Sequence, residues 1–222
     1  MTTLATLDTP AVHHTPSLVH LRDFAQARIA GRRTHVAQDR EQILAPSDGR
    51  FFAFAYERFL SGAIAYINDG CRGSALQDVV NVASPRIRPS YEAAARGIHS
   101  LLGRLDVRSA RRQQRNVVVL DEDGTDLVSL RLHLILELGG GERLATHLYF
   151  PEQALTPAQL ALMETSIAIA AHQRGAGAAP ALLMVRTGIL RPIAFAEATS
   201  ARRLEFLRVE AEAYKTEWAL SV

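Results

Sequence analysis

The sequence predicts an α+β fold: a helical N-terminal half, then a mostly antiparallel sheet packed by C-terminal helices. Three observations carry this. Apolar residues up to about residue 102 recur at three- and four-residue spacing; from Asn116 the pattern becomes β-branched and alternating; helical periodicity returns after Thr156 and again after Thr199. The 222 residues accommodate one large domain, and 48% hydrophobic against 22% charged residues supplies a packed core. We assign residues 1–16 to a disordered tail and 17–222 to a single α+β domain. Within it, 17–105 form the helical part and 106–222 the sheet-containing core.

In chain order, Ser17 caps a helix from Leu18 to Ile29, with Gly31 as its stop. The polar stretch 31–50, closing on Pro46-Ser47-Asp48-Gly49, reads as a loop. The apolar run 51–67, FFAFAYERFLSGAIAYI, has the length of a buried helix and stops at Asn68-Asp69-Gly70. A third helix starts near Ser90 and aligns Tyr91, Ala94, Ile98, Leu101 and Leu102 on one side.

The sheet follows as a three-stranded β-meander within 115–150. Its strands are Asn116 to Leu120, Leu127 to Leu138 and Arg143 to Phe150, with turns at Asp121-Glu122-Asp123-Gly124 and Gly139 to Gly141. If the three glycines form the second loop, Glu137 faces Arg143, His133 faces His147, and Arg131 faces Tyr149. Opposite charges directly across a strand pair contribute roughly 0.2–1 kcal/mol, which favours this register. The leucines at 132, 134, 136 and 138 then form the core face, leaving the histidines on a polar, solvated one. Thr156-Pro157-Ala158-Gln159 is a capping box with proline in the first helical position, opening a helix to about Gln173. A strand or hairpin over 182–195 turns at Thr187-Gly188. The last helix carries the stripe Leu204, Leu207, Ala211, Tyr214 and Trp218.

No apolar run approaches the roughly 18 residues that span a bilayer, and the N-terminus lacks the basic start and apolar block of a secretory signal. A lone cysteine, Cys71, leaves no internal disulfide framework and fits a reducing, cytoplasmic setting. The chain has 24 arginines and one lysine, Lys215, and a net charge of only +2. That balance is uneven. Residues 86–115 hold eight arginines against Glu92 and Asp106, whereas 116–222 is net acidic.

Three constellations are candidates for chemistry. In GRLDVRSARRQQR, a helix would bring Arg104, Arg108, Arg111 and Arg115 to one face with Arg112 beside it, a stripe able to neutralise the phosphates of DNA or RNA without reading sequence. No aromatic residue is interleaved for base stacking. His133 and His147, as cross-strand neighbours, offer two corners of a divalent-metal site, with Glu122, Asp123 or Asp126 as a third ligand from the adjacent turn. Cys71-Arg72-Gly73 resembles the cysteine segment of caspase-type proteases, with His20 as the upstream histidine, although His20 precedes Leu21 inside a helix rather than a glycine after a strand. Walker, dinucleotide-binding and GxSxG motifs are absent from the sequence.

From residue 90 onward the element order α-β-β-β-α-β(-β)-α resembles the core of the PD-(D/E)XK nuclease-like superfamily. TPAQLALMETSIAIAAHQR followed by ALLMVRTG is similar to the glutamine-bearing helix and next strand of its RecB-like branch. The resemblance implies an acid on the second strand, here Asp126, a Glu-x-Lys on the third, and Gln159 as the helix glutamine. In that family the carboxylates hold Mg²⁺ and the lysine stabilises phosphate charge. The third strand here reads Thr146-His147-Leu148, and Lys215 lies on the last helix. The expectation is therefore a non-catalytic binding protein with a degenerate nuclease-like fold, acting on nucleic acid or in a nucleoprotein assembly and needing no cofactor. The alternatives are a divergent metal-dependent nuclease using Asp126 with His133 or His147, and a protein-interaction subunit docking a partner or a second copy through the Leu204–Trp218 stripe.

Overall fold

A computed structural model describes residues 14–45, 51–175 and 177–221, with residues 30 and 51–55 described by backbone alone. The fold is α+β. Its centre is a five-stranded sheet of β1 (Val107–Arg112), β4 (Leu134–Leu138), β5 (Arg143–Tyr149), β6 (Ala179–Met184) and β7 (Ile189–Pro192), in the order β1-β4-β5-β6-β7. All neighbours are antiparallel except β5 and β6, which run parallel because α6 (Pro157–Gln173) carries the chain from the end of one to the start of the other. A separate two-stranded sheet pairs β2 (Asn116–Leu120) with β3 (Asp126–Arg131).

Helices cover both faces of the main sheet. On one, α3 (Phe51–Asn68), α4 (Ala75–Asn81) and α5 (Arg88–Leu102) bury Phe59, Leu76 and Ile98 against Leu134, Leu136, Leu144 and Leu183. On the other, α1 (Leu18–Gln26), α6 and α8 (Ala201–Leu220) join the β2–β3 sheet around Ile135, Ala145 and Leu182. This three-layer arrangement explains why β4, LILEL, is apolar at consecutive positions: successive side chains point to opposite faces, and each face meets a core. The expected solvated face of the hairpin is accordingly covered, and Ala145 and His147 on it are buried.

Several elements match their expectations. Ser17 caps α1, Tyr91, Ala94, Ile98 and Leu101 are the buried side of α5, and Thr156 and Gln159 form a reciprocal capping box on α6. Glu137 pairs with Arg143 across the glycine loop. The segment expected as a strand or hairpin over 182–195 is a hairpin, β6 pairing antiparallel with β7 about the Thr187-Gly188 turn, with β6 starting earlier at Ala179 and β7 ending at Pro192 before the single turn α7 (Phe195–Ala198).

Four expectations are corrected. The first helix ends at Gln26 rather than Ile29, and Gly31, expected as its stop, lies inside helix α2 (Ile29–Leu44) where a loop was expected. The anchors of α2 on α8 are polar, Arg32 to Glu210 at 2.9 Å and Asp39 to the Tyr214 hydroxyl at 3.0 Å, so it lacks the apolar stripe that marks a helix in sequence. The Pro46–Gly49 loop lies outside the described residues. The arginine-rich segment is an edge strand, β1, not a helix: Val107 and Ala110 turn inward and pair with β4. The apolar run 127–138 is two strands, breaking at Leu132-His133 so that β3 and β4 enter different sheets. Arg131 therefore faces Asn116, and no three-stranded meander forms. Lastly, most of the α8 stripe expected to dock a partner is core: Leu207, Ala211 and Tyr214 are fully buried and Trp218 nearly so, while Leu204 is half-buried.

The tail expected over 1–16 lies outside the described residues up to 13. Residues 14–16 pack on the domain, His14 against Trp218 and the Pro16 carbonyl accepting from the Ser129 N–H. Among the described residues no helix is long and apolar enough to cross a membrane.

Candidate nucleic-acid interface and the buried histidine pair

Where the chain passes between the two sheets, residues 112–116 run beside 131–134. The Gln113 N–H donates to the His133 carbonyl at 2.9 Å, and Asn116 stands opposite Arg131. This crossing gathers arginines from three separate parts of the chain. Arg112 donates to the Glu57 carbonyl and the Ser61 hydroxyl, both at 2.9 Å, and its second guanidinium nitrogen lies 3.0 Å from Glu57 Oε2. Arg131 forms an ion pair with the other oxygen of Glu57. Arg174, just past α6, donates to the Arg115 carbonyl at 2.7 Å, while Arg111 and Arg115 project their own side chains into solvent. Among the described residues, Glu57 is the one carboxylate bonded to any of these five guanidiniums.

Of the expected arginines, Arg111 and Arg112 are neighbours in β1, where successive side chains point to opposite faces, and Arg115 follows just beyond its end. Arg104 and Arg108 are engaged elsewhere: Arg104 donates to the Ser100 and Gly188 carbonyls, tying the end of α5 to the β6–β7 turn, and Arg108 pairs with Asp106 at 2.7 Å. Arg131 and Arg174 were not legible as members, because only the pairing of β2 with β3 and the length of α6 bring them to the crossing.

Beneath the crossing lie His133 and His147, facing each other as the register requires, their ring centroids 4.8 Å apart and edge to face. Two backbone contacts assign their tautomers. His147 Nδ1 lies 2.8 Å from the Arg131 carbonyl, an acceptor, so Nδ1 carries the proton and Nε2 the lone pair. His133 Nδ1 accepts the Leu148 N–H at 3.1 Å, so its proton is on Nε2. Burial holds His147 neutral, its pKa pushed down to about 4 against a partial rise from the Arg131 carbonyl and a further lowering by Arg22. Burial, then His147 and Arg131, hold His133 well below its ordinary value.

These contacts do not fit the expected cation site. The lone pair that His133 would give a metal already accepts a backbone N–H, so one histidine at most is a ligand. Asp126 opens β3 five residues before Arg131, about 17 Å away along an extended strand. Its carboxylate accepts from Thr15 at 2.8 Å and its carbonyl from Lys215. Among the described residues, no group of three His, Cys, Asp or Glu side chains is placed to hold a metal ion. Cys71 and His20 are separated too: Cys71 follows α3 in a left-handed turn (φ 62°) on one side of the main sheet, and His20 sits on α1 on the other.

A second concavity, a cleft of about 360 Å³, opens at the carboxyl end of β5 and is lined by Arg22, Asp23, Gln26, His35, Tyr149 and Gln159 among others. Arg22 is bound bidentate by Asp23 at 2.6 and 2.8 Å and its guanidinium lies 5.4 Å from the centre of the Tyr149 ring. Gln159, besides capping α6, donates to Gln26 at 2.6 Å. The cleft is balanced in charge, and its residues come from four elements with no shared motif in sequence. No protein-family model matches this chain, and no curated protein is significantly similar to it.

Proposed function

We propose that this chain is a non-catalytic binding protein on a nuclease-like framework, contacting the phosphates of DNA or RNA through the arginines of the strand crossing. The carrying observation is the excess of arginine along the crossing: Arg111 and Arg115 are exposed, and among the described residues only Glu57 supplies a carboxylate, which pairs with Arg112 and Arg131. Guanidiniums grip phosphate oxygens as bidentate forks, and the arginine-rich stretch 104–115 has no aromatic residue interleaved, which favours backbone contact over base stacking. The residues at the third-strand position support the non-catalytic part. Thr146, His147 and Leu148 stand where the resemblance calls for Glu-x-Lys, and all three are buried. Between α5 and α6 the chain forms five strands, β1 to β5, where the resemblance has three, so the likeness rests on the later part of the series, α6 followed by β6 and β7.

The test is retention of labelled single- and double-stranded DNA and RNA as salt is raised from about 50 to 200 mM. Each neutralised phosphate contributes roughly −0.9 to the slope of log affinity against log salt on duplex DNA. Replacing Arg111 and Arg115 together with alanine is expected to flatten the slope by about two. Absence of retention at low salt, or a slope unchanged in the double variant, refutes the reading. Mg²⁺-dependent cleavage abolished by His147→Ala would favour the divergent nuclease instead.

A further inference from the structure

The N-terminal segment, α1, α2 and α8 enclose a group of histidines that the arginine crossing does not use. His14 stacks on Trp218, ring centroids 3.8 Å apart and planes within 19°, and lies 6.4 Å from the Tyr214 ring. His14 Nε2, His20 Nδ1 and His35 Nε2 are buried atoms without a hydrogen-bond partner. His35 Nε2 comes within 3.5 Å of Asp39 Oδ2, which already accepts the Tyr214 hydroxyl at 3.0 Å. Beyond the stack the segment is held at β3: Thr15 donates to Asp126, Ser129 donates to the Pro16 carbonyl, and Ser17 bridges Ser129 as a parallel partner.

We propose that residues 14–16 form a pH-sensitive latch, in which protonation of His14 and His20 on mild acidification releases the segment from Trp218 and β3. The charges around it set the direction. α1 contributes His20, Arg22 and Asp23. α2 contributes His35, Asp39, Arg32, which pairs with Glu210, and Arg40, whose guanidinium lies 5.7 Å from the Trp218 ring. α8 contributes Glu210, Tyr214, Lys215 and Glu217, and β3 contributes Asp126. Asp39 is the acid that favours charging of both His14 and His20, yet its carboxylate is already engaged by Tyr214 and His35. Two protonated imidazoles here would repel each other and the neighbouring arginines.

Burial lowers the pKa of His14, and His20 lowers it further; burial likewise lowers His20, with His35 and Arg22 adding to the effect. The docked segment therefore prefers neutral imidazoles. Its stabilisation is complete above the ordinary histidine value of 6.5 and declines as pH falls below it. Detaching the segment lets His14 take up its proton in water, so acid favours the open form.

Trp218 is the sole tryptophan and reports the latch directly. Lowering pH from about 7.5 to 5, a window bracketing the ordinary histidine pKa, is expected to move its emission to longer wavelength with far-UV circular dichroism unchanged. His14→Phe keeps an aromatic ring on Trp218 without a titrating group, and its emission is expected to stay constant over the same range. Hydrogen exchange at the Ser129 amide, corrected for the intrinsic pH dependence, is expected to lose protection at low pH in the native protein, a reading that needs no variant. Constant emission in the native protein, a shift in His14→Phe equal to the native one, retained Ser129 protection, or loss of helix in step with the shift would each overturn the latch.

Discussion

His133 and His147 face each other with opposite tautomers: the Nδ1 of one accepts a backbone N–H while the Nδ1 of the other donates to a backbone carbonyl. As neutral hydrogen-bonding groups, the His133 ring holds the β5 backbone at Leu148 and the His147 ring ties β5 to the end of β3. The fold should consequently weaken with acid. His147 is lowered from 6.5 to about 4, so its contribution is complete above pH 6.5, falls as pH drops towards 4, and is constant below. The loss is on the order of 3 kcal/mol. Denaturant unfolding at pH 7.5 and 4.5 checks this. His147→Phe is expected to be less stable at pH 7.5 by about 1–3 kcal/mol, since the Arg131 carbonyl loses its donor, and to depend less on pH. An equal acid loss in native and variant protein would contradict the assignment.

Glu57 restrains the arginine crossing by pairing with Arg112 and Arg131 at once. Glu57→Gln removes the charge but keeps a polar group of the same shape. Retention of DNA or RNA at about 150 mM salt should increase, and the salt dependence should steepen by about one phosphate contact. This is the opposite direction to the Arg111 and Arg115 changes, which separates a charge effect from damage to the fold. Weaker retention in Glu57→Gln would show that Glu57 orders the arginines more than it neutralises them.

The edge of the main sheet at β1 is closed by one side chain. Asn68, the last residue of α3, donates to the Ala110 carbonyl at 3.0 Å and accepts the Ala110 N–H at 2.8 Å, standing in for the next strand. Asn68→Ala is expected to cost about 1–3 kcal/mol, because both backbone groups lose their partner. The Ala110 amide should lose protection from hydrogen exchange, and Asn68→Asp, which keeps the acceptor but not the donor, should restore part of it. Full protection in the alanine variant would mean that water or a neighbouring residue replaces the amide.

Elements that depend on local chemistry were legible in the sequence: the Thr156–Gln159 box, the Ser17 cap, the α5 side and the Glu137–Arg143 register each need only a few neighbouring residues. What failed depended on contacts distant in sequence. α2 is stabilised by Glu210 and Tyr214, about 175 residues away, so its polar surface resembled a loop. β1 draws its strand character from pairing with β4, and its own residues, VRSARR, lack an alternating apolar pattern. The run 127–138 hides a sheet change that no turn residue marks. At the crossing, composition revealed the arginines but not their partners, and Glu57 and Arg174 entered only through the fold.

Gly97, in the middle of α5, carries the last prediction. A Cβ there would lie 1.8 Å from the Val185 carbonyl oxygen and 2.8 Å from the Arg186 carbonyl carbon. The opposing turn is as close: a Cβ on Gly188, itself at φ +65°, would lie 2.1 Å from the Gly97 carbonyl oxygen. Helix and turn therefore touch backbone to backbone, which lets Arg104 reach the Gly188 carbonyl from just beyond the helix. In an exposed helix, Gly→Ala is stabilising by up to about 1 kcal/mol. Here the collision is with backbone, which no rotamer change relieves, so α5 must move off the β6–β7 turn. Gly97→Ala is expected to destabilise the protein by about 3 kcal/mol or more. Gly97→Ala and Arg104→Ala should combine non-additively, because both act on the same contact. Chemical denaturation of the two single variants and the double variant measures this, and a neutral Gly97→Ala would show that α5 and the turn are not packed at this distance.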